Sequence, residues 1–194
     1  MSNDPLRKSV IRQHMIQCRA EMDLKKQTEA NQAIQKLVLE HWNNDWKTIL
    51  MYVNRSDEVA TVPIILAFLE SDKKLCVPAF DHVLNRYYPS ELRDFEKEME
   101  SGKFGILEPK SSVRRPVSIN EMDVVFLPAV AFDRQGHRLG YGYGYFDQLC
   151  RGTRATKIGL AYESQIVNHI PAHEDDVQMD LIITEKEVIQ CPKR

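Results

Sequence analysis

Residues 138–147 read RLGYGYGYFD, with Gly140, Gly142 and Gly144 alternating with Tyr141, Tyr143 and Tyr145 between Arg138 and Asp147. Glycine lets a backbone approach an anion closely and turn its amides toward it, as phosphate binding requires. Arg138 offers a planar fork for phosphate oxygens, and Asp147 offers a hard carboxylate that suits Mg2+ held against them. The chain has only eight glycines, and with Gly136 four of them fall within nine positions. A plain tight turn would use the same glycines, so Arg138 and Asp147 carry the chemical reading. Each of those has its own plain alternative, a surface ion pair for the arginine and a helix cap for the aspartate.

The loop's spacing is not that of the familiar phosphate loops. A GxGxxG pattern from Gly140 requires glycine where Tyr145 stands, and GxxxxGK[ST] is absent. A kinase-type glycine loop fails at the same position. Elsewhere, Lys8 and Arg12 stand four apart and share one face of a predicted helix, either as a cationic pair or as a solvated face. Glu58 stands beside Asp57, and Asp176 ends the run His173, Glu174, Asp175, Asp176. His169 and His173 are four apart, but position 170 is not Glu and Pro171 disfavours a helix, which rejects a zincin-type site.

The elements that must position these residues read as α/β. Apolar periodicity predicts helices from Pro5 to about Met22, from Leu24 to Trp42, and over about 61–71. Short apolar or β-branched runs at 47–53, 74–78, 123–128, 157–162 and 180–184 read as strands buried on both faces of a largely parallel sheet. Residues 129–133 read as an extension of the strand at 123–127, 85–89 as an antiparallel edge strand, and 108–118 as a surface loop. A short helix including Gln148 and Leu149 follows the glycine loop. There is no repeat and no linker, so residues 1–194 are expected to form one domain.

Composition limits the partners. The 26 Lys and Arg against 28 Asp and Glu give a net charge of −2, which supplies no broad basic footprint for nucleic acid or anionic membrane. An RNA-binding module stacking bases on the three tyrosines would lack the flanking basic groove. The longest apolar stretch, Val124 to Phe132, is nine residues and contains Pro128, against the ~20 that a membrane span needs. The amino-terminal residues carry no apolar signal core, and Cys18, Cys76, Cys150 and Cys191 are scattered without a CxxC pair. A cytoplasmic chain with reduced thiols is expected.

With these residues in view, the chain resembles the 5-formyltetrahydrofolate cyclo-ligase family over nearly its whole length. The resemblance rests on Lys8 and Arg12 in KxxxR, Glu58 and Thr61 in ExxT, FGILEP at 104–109, LPAVAFDRQGHRLGYGYGYFD at 127–147, and the paired acids Asp176 and Asp180. It implies a three-layer α/β sandwich with a mostly parallel central sheet, similar to the sugar-phosphate isomerase and CoA-transferase group. It implies a monomer that converts 5-formyltetrahydrofolate and ATP, with Mg2+, into 5,10-methenyltetrahydrofolate, ADP and phosphate. Carried over residue by residue, it implies ATP binding by Lys8, Arg12, Arg138, Leu139, Gly140, Tyr141, Gly142, Tyr143, Gly144, Tyr145, Phe146 and Asp147. It implies folate binding by Val53, Glu58, Tyr141, Gly142, Tyr143, Gly144 and Tyr145, Mg2+ ligation by Asp147 and Asp176, and catalysis by Arg138, Tyr145 and Asp147. The chain departs from the family pattern at Phe146, commonly tyrosine, which would pass a phenolic role to Tyr145, and at Tyr143, often small or basic. The alternative is a non-catalytic nucleotide or folate binder on the same fold.

Overall fold

The computed structural model describes residues 5–41, 45–102, 105–173 and 176–193. Two helices open the chain, α1 (Pro5–Ala20) and α2 (Leu24–Glu40). Asp23 caps α2 by accepting from the Lys25 and Lys26 amides at 3.0 and 3.1 Å, which satisfies two of the donors a helix start leaves unpaired. Trp42, the expected end of that helix, and Phe104, Glu174 and Asp175 lie outside the described residues.

The chain continues through β1 (Thr48–Met51), α3 (Val62–Leu69), β2 (Lys74–Asp81), β3 (Arg86–Glu91), α4 (Phe95–Glu98), β4 (Met99–Ser101) and β5 (Leu107–Pro109). After these come β6 (Val124–Leu127), β7 (Ala131–Asp133), β8 (Arg138–Leu139), α5 (Tyr145–Leu149), β9 (Thr156–Leu160), β10 (Ile166–Val167), β11 (Leu181–Ile183) and β12 (Val188–Gln190). The central sheet has the order β12-β11-β9-β6-β1-β2-β3. Its inner five strands pair in parallel, and β12 and β3 add antiparallel edges.

Alternate side chains enter two cores. Ile49, Met51, Val124 and Phe126 pack under α2 and α3 with Ile34, Ile64 and Phe68. Leu50, Val125 and Leu127 face the other way, against Leu149 of α5 and Phe132 of β7. Coverage on both faces explains why the strands read as unbroken apolar runs. Cys76, Cys150 and Cys191 are part of this second core, and burial pushes their thiols up to about 12, 11 and 11, away from nucleophilic chemistry. Among the described residues, no helix is long and apolar enough to cross a membrane.

Two expectations are corrected. Residues 129–133 do not extend β6: after Pro128 the chain leaves the central sheet, and β7 joins β8 and β10 in a separate three-stranded sheet. Residues 108–118 are not simply a loop, because Leu107–Pro109 pairs with β4 and Pro116 bridges to Ser90.

The small sheet matters because it carries the glycine loop. Asp133, fully buried, accepts from the backbone amides of Gln135 and His137 at 3.0 Å and of Ile170 at 2.9 Å, and so fixes the β7–β8 turn. Phe132 seats this sheet on the central one by packing against Gly159, where an added Cβ would lie 2.5 Å from its ring. Gly159→Ala is therefore expected to cost about 1–3 kcal/mol through overpacking. At this chain length that lowers the melting temperature by roughly 3–10 °C in a thermal denaturation; an unchanged melting point would contradict the seating.

Candidate active site

The sheet order reverses between β1 and β6, since β1 leads to β2 on one side and β6 lies on the other. Open α/β sheets bind ligands outside the carboxyl ends of the strands at such a switch point. A cleft of about 510 Å3 opens there, with Tyr52 and Val53 following β1, and Pro128 and Ala129 following β6. The rest of its wall comes from α1, Arg55 and Glu58, the β2–β3 pair, residues 106–108, the glycine loop and Asp176.

One end of the cleft is charged. Lys8 and Arg12 both line it, as their shared helical face requires. Lys8 Nζ lies 3.0 Å from Asp176 Oδ2, and Arg12 Nε donates to the Gly140 carbonyl at 2.8 Å. Arg138 Nη2 donates to Asp147 Oδ1 at 2.7 Å. The Arg138 side chain is only 4% exposed, and its Nε is a buried donor with no partner among the described residues. A buried N–H left over in this way calls for an acceptor from outside the chain. Gly142 and Gly144 take the positive φ of +100° and +68° that the turn into α5 requires. A side chain on Gly142 would meet the Arg12 guanidinium, 3.6 Å from the Cβ position.

Asp147 and Asp176 present a donor set that fits a hard divalent ion. Among the described residues, every hydrogen bond to Asp147 falls on Oδ1, from Arg138 and the Val177 amide, and every one to Asp176 on Oδ2, from Lys8 and the His173 amide. Each acid thus has its second oxygen to offer. Burial opposes the charge on Asp176, but the His173 N–H at 2.8 Å and the Lys8 ammonium outweigh it and hold the carboxyl below its usual range. No third His, Cys, Asp or Glu among the described residues completes a metal cluster with them. Mg2+ needs none, because it keeps several waters and takes phosphate oxygens beside one or two carboxylates. Asp180 stands apart: it precedes β11 at the amino ends of the strands and accepts from the Lys157 amide at 2.8 Å.

The other end is polar but buried. Val53 and Glu58 are 5% and 6% exposed, and Glu58 Oε2 accepts from the Arg55 amide at 3.0 Å. Thr61 sets this segment by donating to the Tyr52 carbonyl at 2.8 Å while accepting from the Asn54 amide at 3.1 Å. Burial pushes the Glu58 carboxyl up, against the Arg55 amide and the Arg19 charge. With a raised folded-state value, the stability this group contributes is full below the ordinary glutamate value of about 4.3 and is lost as pH rises through the folded-state one. Glu58→Gln is uncharged throughout, so it is expected to melt above the wild type at neutral pH, with the gap closing toward pH 4. Thermal melts across that range check this; a gap independent of pH would contradict it.

Aromatic rings form part of the wall. Tyr87 stacks on Phe146 at 6.2 Å with planes 13° apart, and Tyr145 stands edge-on to Tyr87 and Phe80. Tyr143 stacks on Tyr145 at 5.6 Å. At position 146 the ring alone makes the contact. Tyr145, the expected catalytic phenol, lines the cleft and donates its hydroxyl proton to Asn85 Oδ1 at 3.4 Å. The Tyr141 hydroxyl accepts from Arg19 Nη2. The sequence reading missed Arg19, Arg55, Tyr87 and Pro78. Arg19 alone had a usable signal, since 8, 12 and 19 are spaced 4 and 7 and fall on one helical face.

A model of the 5-formyltetrahydrofolate cyclo-ligase family matches residues 5–185. The chain belongs to the 5-formyltetrahydrofolate cyclo-ligase family. A curated 5-formyltetrahydrofolate cyclo-ligase from Haemophilus influenzae is 30% identical over 179 residues, covering 89% of this chain and 95% of that protein. The Aquifex aeolicus 5,10-methenyltetrahydrofolate synthetase superposes with a TM-score of 0.84 at 25% identity, over 96% of this chain and 94% of that one. A 5,10-methenyltetrahydrofolate synthetase from Mycoplasma pneumoniae, 24% identical, shares the fold with a TM-score of 0.73, over 92% and 98% of the two chains. This cyclo-ligase family member is accordingly a ligase, and its cleft is where the family's cyclisation is to be sought.

Proposed function

We propose that the chain closes 5-formyltetrahydrofolate to 5,10-methenyltetrahydrofolate with ATP and Mg2+, releasing ADP and phosphate. One observation carries the reading: a single cleft holds three cations and two acids at one end and a buried carboxylate beside aromatic walls at the other. The formyl oxygen attacks the γ-phosphorus and ADP leaves, which turns a poor leaving oxygen into a phosphate. The folate's N10 then attacks the activated carbon, and phosphate departs with the former formyl oxygen and takes up the proton that N10 gives up.

Such a transfer needs positioning and charge neutralisation more than covalent help. Arg138 supports the transferring phosphoryl group through its Nη and unpartnered Nε donors. Lys8 and Arg12 neutralise the remaining phosphates, beside the amides of residues 140–144. Asp147 and Asp176 would hold Mg2+, which supplies further neutralisation of the phosphates when bound. Glu58 accepts from the donor edge of the pterin, with Val53 and the rings of Tyr141, Tyr143 and Tyr145 as walls.

The test is purified protein with 5-formyltetrahydrofolate and MgATP. Methenyl absorbance near the edge of the visible should rise in step with ADP. Binding of both ligands with no product would leave the non-catalytic reading.

A further inference from the structure

Arg19 does not line the cleft, yet it touches three of the segments that do. Its guanidinium is buried, with the residue 3% exposed. Nε donates to Asp57 Oδ2 at 3.1 Å, Nη1 to the Ala129 carbonyl at 3.3 Å, and Nη2 to Asp57 Oδ2 at 2.5 Å and to the Tyr141 hydroxyl. Asp57 precedes Glu58, Ala129 lies at the exit of β6, and Tyr141 sits in the middle of the glycine loop. The Tyr141 ring is further held by Arg55, whose guanidinium carbon is 5.0 Å from its centroid.

We propose that Arg19 is a positioning residue that fixes the glycine loop against the Glu58 segment, so that the γ-phosphorus and the formyl oxygen meet in attacking geometry. The inference rests on the proposed function. Each substrate end has its own contacts and can bind without Arg19, but their mutual placement runs through its hydrogen bonds, with the Arg55–Tyr141 ring contact beside them. Only arginine suits the task, because its rigid fork reaches several acceptors at once, whereas a lysine ammonium is a single compact charge on a flexible stem. The demand on placement is steep, since a misplacement of about 1 Å can cost about 10²-fold in rate.

The signature is a loss of kcat without a loss of binding. R19K is expected to lower kcat about a hundredfold while the Kd values of MgATP and 5-formyltetrahydrofolate, each measured alone by calorimetry, stay within about threefold of wild type. Y141F keeps the ring and removes only the tie to Arg19, and is expected to lower kcat about tenfold. Because both changes cut the same tie, R19K/Y141F should turn over no more slowly than R19K alone. Should R19K fail to fold, Y141F decides the matter by itself. A kcat for Y141F equal to wild type, a loss of substrate affinity in place of kcat, or full additivity of the two changes would each overturn the proposal. A wild-type protein that forms no methenyl product would overturn the proposed function as well, which separates the two failures.

Discussion

Asp147→Asn is expected to lower kcat by about a thousandfold or more, the scale seen when a group stabilising transition-state charge is removed. The substitution is nearly isosteric and keeps Oδ1 as an acceptor for Arg138 at 2.7 Å and for the Val177 amide at 3.3 Å. The folded state is thus preserved, and circular dichroism and the melting temperature should stay close to wild type. What is lost is the negative charge that the proposed ligation of Mg2+ beside Asp176 requires. Steady-state kinetics with an Mg2+ titration read this directly: the variant should not recover at saturating Mg2+. A kcat within tenfold of wild type would remove Asp147 from metal binding.

The second large effect is expected at Arg138. Arg138→Met should lower kcat/KM by about 10³-fold or more, as removal of an arginine acting on a transferring phosphoryl group does. The split between the constants is diagnostic. If the guanidinium acts on the charge that develops in transfer, kcat falls further than KM for ATP rises. Arg138→Lys should recover little, because an ammonium cannot replace both the bond to Asp147 and the unpartnered Nε donor. The fold tolerates the loss, since Asp147 keeps the Val177 amide and its side chain is 31% exposed. A rise in KM with kcat unchanged would reduce Arg138 to ground-state binding of the nucleotide.

Both residues stood out in the sequence because they bracket a glycine loop, and the structure pairs them with each other at 2.7 Å on the wall of the cleft. The five parallel strands were legible for a different reason. Covered on both faces, β1, β2, β6, β9 and β11 contain near-continuous apolar runs that no other context explains as well. The small sheet left no such trace. β7, β8 and β10 are two or three residues long, too short for a period, and are held by partners remote in sequence such as the Asp133 turn and the Phe132–Gly159 contact. Val130 and Ala131 therefore read as more of β6, although Pro128 marks the break. Asp180 shows the converse: it fits a family spacing, but its carboxylate serves the start of β9 through the Lys157 amide. Arg19 shares a helical face with Lys8 and Arg12, but its burial was not legible, because its partners Asp57 and Tyr141 lie 38 and 122 residues away.

If this cleft transfers the γ-phosphoryl group of ATP to the formyl oxygen, that oxygen must leave with the phosphate. With 5-formyltetrahydrofolate carrying 18O in the formyl group, the wild-type protein and MgATP should release phosphate containing one 18O for each methenyltetrahydrofolate formed. Unlabelled phosphate accompanying the methenyl product would contradict the account, because the ring would then have closed without phosphorylation of the oxygen that the cleft is proposed to present to ATP.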